Sequence, residues 1–110
     1  DNLALAARLE QDACKLLGQA ASDAGIDPAD IGLVVCANTN RRHLRRMLEA
    51  LDLADRPVAA RIEETGFLGT ADVFYNLARA RAEGRLDPGT PVAVITTGGG
   101  YAAAVSLLRA

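Results

Sequence analysis

The residues that could do chemistry in this chain follow two short apolar runs. The second run, Val92 to Ile95, leads through two threonines to the glycine triplet Gly98, Gly99 and Gly100. Glycine has no Cβ, so its backbone can take positive φ and its amides can approach a ligand closely. A triplet between two apolar segments therefore predicts either a tight connection between strands or a place where another group packs against bare backbone.

The first apolar run, residues 31–37, is followed by the polar segment Asn38, Thr39 and Asn40. Polar groups at the carboxyl end of a strand are where binding sites of α/β proteins gather. Asn38 and Asn40 are therefore weak candidates for hydrogen bonding to a substrate. A polar strand-to-helix turn is equally expected, and the N-cap role alone explains Asn40.

The ionisable residues of the middle of the chain offer further candidates. Arg41 and Arg42 open a basic cluster and could bind phosphate groups, although a solvated helix face is the simpler interpretation. Glu63 and Glu64 cannot converge as a pair, because adjacent residues of a strand point to opposite faces. Solvated loop carboxylates are the favoured interpretation of both.

Length, net charge and cysteine content limit the classes of protein to which this chain can belong. The chain has 110 residues, enough for one domain with one core, and a net charge of −2. That charge gives no basic field for nucleic acid, and no apolar stretch reaches the ~20 residues of a membrane span. Cys14 and Cys36 lack metal-ligand spacing and are predicted to be buried reduced thiols of a cytoplasmic protein. We therefore predict no metal, no cofactor, no nucleic acid and no membrane partner.

Apolar spacing and turn residues predict the element order α-β-α-β-α-β-β. The predicted elements are a helix to about Ala24, a turn at 28–30, a strand at 31–37, a helix with its apolar stripe at Leu44, Met47, Leu48 and Leu51, a strand at 58–62, a helix at 70–83 with Val73, Phe74, Leu77, Ala78 and Ala80 inward, and two final strands joined by the glycines. This order implies a mostly parallel sheet with helices on its faces and an antiparallel last strand. No strand precedes the first helix, so we expect part of its sheet to belong to another segment.

Several segments together resemble the C-terminal portion of ketoacyl-acyl-carrier-protein synthase III enzymes, which have a thiolase-like fold. The run at 31–40 is similar to the family's strand and its His-Gln-Ala-Asn motif. Residues 62–66 are similar to the strand end that leads to its Gly-Asn-Thr motif. Residues 84–89, Gly-Arg-Leu-Asp-Pro-Gly, are similar to the turn before its penultimate strand, and residues 98–101 to its Gly-Gly-Gly-Phe loop. The spacing agrees without a gap from Asn40 to Arg109.

The resemblance implies that residues 1–110 are one thiolase-like half-domain of a longer enzyme built from two similar halves. The nucleophilic cysteine of the family lies in the N-terminal half, and neither cysteine of this chain falls at its position. The resemblance therefore implies that half as a partner, acyl-CoA or acyl carrier protein as substrate, and a homodimer of the full enzyme.

Two catalytic side chains of the family are replaced. Its histidine falls on Ala37 and its asparagine on Phe67, and neither residue can donate a side-chain hydrogen bond. The glycine loop, Gly98 to Gly100, retains the amides that in the family complete an oxyanion hole. His43 is either a displaced acid–base group or an exposed helix residue, and we favour the latter.

Three functions follow from this pattern. The first is an acyltransferase of the ketoacyl synthase III type that acts on acyl thioesters without ordinary decarboxylating condensation, provided that an N-terminal half supplies the cysteine. In that case the acceptor is an alcohol, an amine or a second thioester. The second is a non-catalytic partner subunit or pseudoenzyme. The third, an unrelated α/β binding domain, is disfavoured by the ungapped spacing.

Overall fold

The computed structural model describes residues 2–37, 41–60, 71–98 and 102–110. Its elements are α1 (Asn2–Ala24), a 3-10 turn (Pro28–Asp30), β1 (Leu33–Cys36), α2 (Arg41–Ala50), β2 (Val58–Ala59), α3 (Ala71–Ala82), β3 (Pro91–Gly98) and β4 (Ala102–Arg109). The predicted order of elements is confirmed. Part of the strand predicted at 58–62 lies outside the described residues, and the described part is limited to two residues.

The four strands form one sheet in the order β2-β1-β3-β4. β1 pairs in parallel with both β2 and β3, whereas β4 runs antiparallel to β3. The antiparallel pairing extends from Pro91 opposite Arg109 to Gly98 opposite Ala102. The predicted mostly parallel α/β fold with an antiparallel last strand is therefore confirmed. Gly99 and Gly100, on which the two interpretations of the glycine triplet depend, lie outside the described residues.

The path of the chain explains why both faces of the sheet carry helices. After β1 the chain crosses through α2 to β2 on one side, and after β2 it returns through α3 to β3 on the other side. Right-handed crossovers that run in opposite directions place their helices on opposite faces. Alternate residues of β1 accordingly enter two different clusters, Val34 and Cys36 with α1 and α2, and Leu33 and Val35 with α3.

The first helix packs against the last two strands of the described sheet. Our expectation that part of its sheet belongs to another segment stays a prediction. Ala13 and Leu17 of α1 are buried in the same cluster as Ala93 and Ile95 of β3. Val105 and Leu107 of β4 pack against that cluster as well. The last strand therefore lies beneath the first helix, and no local sequence pattern predicts this long-range contact.

The inward face of α3 differs from the one predicted. Phe74 is 74% exposed and Ala78 is also exposed, whereas Asp72 and Asn76 are fully buried. Residues 72, 76 and 80 lie one above the other on a helix, and Ala80 is buried with them. The helix thus turns a partly polar face toward β1 and leaves an aromatic side chain in solvent.

The two cysteines differ in burial. Cys36 is buried, as predicted, but Cys14 is only half-buried and its thiol donates a hydrogen bond of 3.2 Å to the carbonyl of Ala50. Neither cysteine forms a disulfide. Among the described helices, none is long and apolar enough to cross a membrane.

Candidate functional site

The carboxyl ends of β1 and β3 meet at one edge of the sheet. Cys36 at the end of β1 lies opposite Ile95, so Ala37 and Thr97 leave the two strands close to each other. The chain leaves β1 toward one side of the sheet and enters β3 from the other, which makes this edge a topological switch point. In open α/β sheets, ligands bind in the crevice outside the strand ends at such a point.

A cavity of about 100 Å³ opens at this edge between the sheet and the helices α1 and α2. Its walls are mainly apolar, with a few polar groups. The lining residues are Ala6, Leu9, Glu10, Cys36, Ala37, His43, Leu44, Met47, Ile95 and Thr97. An apolar pocket with a small number of polar groups is the usual form of a small-molecule site.

The thiol that faces this cavity is not a nucleophile. Burial raises the pKa of Cys36 to about 12 from an ordinary value of 9.0. The thiolate is the reactive form of cysteine, and at neutral pH the Cys36 side chain remains a neutral thiol. Cys36 therefore acts as a small apolar wall, in agreement with the sequence-based view that neither cysteine of this chain is catalytic.

The ionisable groups at the mouth of the cavity are Glu10 and His43. The carboxylate of Glu10 is held by the guanidinium of Arg46, at 2.8 Å from Nε to Oε1. His43 lies in the first turn of α2 and is exposed, as we favoured, but it also lines the cavity together with Ala37. The structure thus places an imidazole on the same cavity as Ala37, the residue that the resemblance aligns with the family's histidine.

Sequence reasoning missed a polar contact behind this edge. The amide Nδ2 of Asn76 donates a hydrogen bond of 2.7 Å to the carbonyl oxygen of Cys36. The bond joins α3 to the last residue of β1 and therefore helps to fix the position of Ala37. The available signal was the spacing of Asp72 and Asn76, which share a helix face with the small residue Ala80.

The predicted phosphate-binding arginines do not line the cavity. Arg41 and Arg42 are exposed and border an open groove of about 750 Å³ with Val58 of the edge strand β2. Gly98 ends β3 one residue beyond Thr97. The remaining candidates, Asn38, Asn40, Phe67, Gly99 and Gly100, lie outside the described residues, as do Thr39, Glu63 and Glu64. Across the described ranges, no three histidine, cysteine or acidic side chains come together as a metal site requires.

Comparison with known proteins identifies the family. Residues 21–110 match the family described as "3-Oxoacyl-[acyl-carrier-protein (ACP)] synthase III C terminal". The chain belongs to this family. The match covers the cavity-lining segments of β1, α2 and β3 and agrees with the resemblance seen in the sequence motifs.

Individual relatives agree with this assignment. The chain is 33% identical over 85 residues to the β-ketoacyl-[acyl-carrier-protein] synthase III of Nitratidesulfovibrio vulgaris (strain DP4), covering 77% of this chain and 26% of the relative. The structure of the synthase III of Thermus thermophilus superimposes with a TM-score of 0.85 at 25% identity, over 100% of this chain and 34% of that protein. Xanthomonas campestris OleA E117D gives a TM-score of 0.89 at 20% identity, over 99% and 33% of the respective chains, which shows the shared fold. This chain therefore spans about a quarter to a third of the relatives that it matches.

Proposed function

We propose that this chain forms one wall of an acyl-thioester site in an acyltransferase of the ketoacyl synthase III type. The observation that carries the proposal is the common cavity at the switch point, which is lined by Ala37 from β1 and Thr97 from β3. These residues belong to or adjoin two of the three segments in which the family carries catalytic groups. Acyl-CoA or an acylated carrier protein is the proposed acyl donor.

The nucleophilic cysteine of the proposed enzyme comes from an N-terminal half of the same fold. The neutral Cys36 thiol and the hydrogen-bonded Cys14 thiol are unsuited to the role. An apolar groove of about 710 Å³ on the α3 side of the sheet is suited to receive the other half. Phe74 and Leu108, which line it, are 74% and 42% exposed. In this proposal residues 1–110 are one half-domain, and the assembled enzyme is a homodimer.

The proposed reaction is not an ordinary decarboxylating condensation. Ala37 presents a methyl group to the cavity, and Phe67, at the position of the family's asparagine, also lacks a hydrogen-bond donor. Loss of one donor to a developing oxyanion typically costs ~2.7–4 kcal/mol of transition-state stabilisation. Transfer of the acyl group to an alcohol, an amine or a second thioester avoids the decarboxylation step. The backbone amides of Gly98, Gly99 and Gly100 would serve the oxyanion, a role that needs no side chain.

A second function, a non-catalytic partner subunit of the same fold, is favoured by the same alanine. A cavity whose wall at Ala37 lacks any donor is compatible with a protein that has lost the chemistry and kept the fold. Phe67 would then occupy space that a substrate uses in an active relative.

Detection of an acyl-enzyme adduct distinguishes the two functions. The protein, assembled with its nucleophile-bearing half, is incubated with acetyl-CoA and then measured by intact mass, with free coenzyme A as the blank. We expect the mass of one acyl group per chain, retained in the Cys14→Ala and Cys36→Ala variants because neither thiol is the nucleophile. Absence of an adduct on the assembled protein would favour the non-catalytic subunit.

A further inference from the structure

We infer that His43 is the proton-transfer residue of this cavity, and that the acyl acceptor is a molecule with a reactive O–H or N–H group. The inference rests on the proposed acyl transfer and deepens it by naming the class of the acceptor. Its basis is the position of one imidazole at the mouth of a largely apolar cavity, beside the residue that replaces the family's histidine.

The position of His43 follows from the fold. α2 starts at the same edge of the sheet at which β1 ends, so the first turn of the helix stands next to Ala37. His43 and Ala37 line the same cavity, and His43 is exposed to solvent. The imidazole is therefore accessible both to solvent and to a molecule bound in the cavity.

The other ionisable groups around the cavity are unsuited to this role. From α1, the Glu10 carboxylate is engaged by Arg46 at 2.8 Å. From β1, burial keeps the Cys36 thiol neutral, with a pKa of about 12. β3 contributes the hydroxyl of Thr97 and the apolar side chain of Ile95, neither of which exchanges a proton near neutral pH. Imidazole is the side chain that both accepts and releases a proton between pH 5 and 8.

The proton balance of the proposed step requires a base of this kind. The hydroxyl oxygen or amine nitrogen of the acceptor attacks the carbonyl carbon of the acyl-cysteine thioester while its proton passes to an imidazole nitrogen of His43. The tetrahedral intermediate then collapses, the C–S bond breaks, and the cysteine sulfur leaves with the bonding electron pair. His43 returns the proton to that thiolate. The products are an ester or amide and the free cysteine thiol.

The nature of the cavity fits this acceptor class. Condensation on a malonyl thioester releases CO₂ and needs donors that hold an enolate, whereas attack by an alcohol or amine needs one group that removes a proton. The described cavity offers one imidazole and mainly apolar walls formed by residues such as Leu9, Leu44 and Met47. A short aliphatic alcohol or amine suits a volume of about 100 Å³.

The test separates formation of the acyl-enzyme from its discharge. The assembled protein is acylated with acetyl-CoA, freed of excess donor, and mixed with propanol, propylamine or malonyl-CoA, and loss of the adduct is followed by intact mass. We expect propanol or propylamine to discharge the wild-type adduct. His43→Gln should form the adduct normally but discharge it about 10²–10⁴-fold more slowly, the usual contribution of general acid–base catalysis.

Two controls assign the effect to the imidazole. Arg45→Gln changes an exposed residue of the same helix that lines the opposite groove, and it should alter neither step. His43→Ala should regain discharge when imidazole is added to the solution.

The remaining outcomes decide against the inference. Equal discharge rates in His43→Gln and the wild type would overturn it and leave the proposed acyl transfer intact. If none of the three compounds discharges the adduct, the inference is overturned while adduct formation still supports the thioester site. If malonyl-CoA discharges it with loss of CO₂ while propanol and propylamine do not, the inference is overturned together with the proposal that the reaction is not a decarboxylating condensation. Failure to form any adduct would overturn the proposed function and this inference together.

Discussion

The two ends of the parallel strands are built differently. At the amino end, the guanidinium of Arg56 donates to the carbonyls of Ile31, at 2.8 Å from Nε, and Ala29, at 3.1 Å from Nη2. There also, a Cβ at Gly32 would collide with the Cγ2 methyl of Thr90. At the carboxyl end, the chain surrounds a cavity with Ala37 and the exposed His43 on its wall.

The comparison shows that the close contacts and the candidate site lie at opposite ends of the parallel strands. Close contacts and charged hydrogen bonds stabilise the amino ends of the strands, where no candidate site residue lies. The carboxyl ends of the parallel strands carry the switch point and the cavity, because the connections that leave β1 and β3 diverge there. One contact, from Asn76 to Cys36, supports the open end from behind.

The largest effect on stability is expected at that supporting contact. Asn76→Ala removes a fully buried donor to the Cys36 carbonyl, so the free energy of unfolding should fall by about 2–3 kcal/mol. Urea denaturation followed by circular dichroism measures the change. Gln19→Ala, at an exposed position of α1, should cost less than about 0.5 kcal/mol. Equal losses in the two variants would show that the open end needs no such support.

The close approach at the amino end gives the next prediction. Gly32→Ala places a methyl group against the Thr90 Cγ2 methyl and should destabilise the fold by about 1–3 kcal/mol through overpacking. Thr90→Ser removes that methyl, so the double variant should recover most of the loss. A double-mutant cycle from urea denaturation gives the coupling between the two sites. If the losses simply add, the contact is not the cause.

The hydrogen bonds of Arg56 are expected to contribute somewhat less. Arg56→Met keeps much of the apolar stem but removes the donors to Ile31 and Ala29, and should lower the free energy of unfolding by about 1–2 kcal/mol because the side chain is 21% exposed. Arg8→Met, at an exposed position of α1, is the matched control and should have little effect. If the free energy of unfolding is unchanged in Arg56→Met, these hydrogen bonds do not stabilise the amino end.

The smallest effect is a dependence of stability on pH at the carboxyl end. The folded pKa of Cys36 is raised, so its contribution to stability is complete below pH 9, the value for the unfolded thiol, and is lost as the pH rises toward about 12. Between pH 9 and 10 the loss should be about 1 kcal/mol. Chemical denaturation at pH 8 and 10 should show a smaller difference for Cys36→Ala than for the wild type. Cys14→Ala should behave like the wild type, and identical pH dependence in all three would contradict the assignment.

Motif spacing in the sequence predicted strands at 31–37 and 92–95, each followed by candidate site residues. The structure has strands there, and Ala37 and Thr97, which lie at their carboxyl ends, line one cavity. Arg41 and Arg42 line the groove beside β2 and not the cavity, because their placement depends on the rotation of α2 about its axis. Spacing alone could not tell which of the basic residues faces the cavity and which faces the groove.

The sequence by itself determined the order and type of the elements, since apolar periodicity, glycines and prolines act over a few neighbouring residues. It also determined the family, through several motifs at matching spacing. Only the tertiary structure decided that α1 lies on the last strand, that α3 buries Asp72 and Asn76 while exposing Phe74, and that His43 stands beside Ala37. These three facts depend on contacts between segments far apart in the chain, and such contacts leave no periodic trace in either segment.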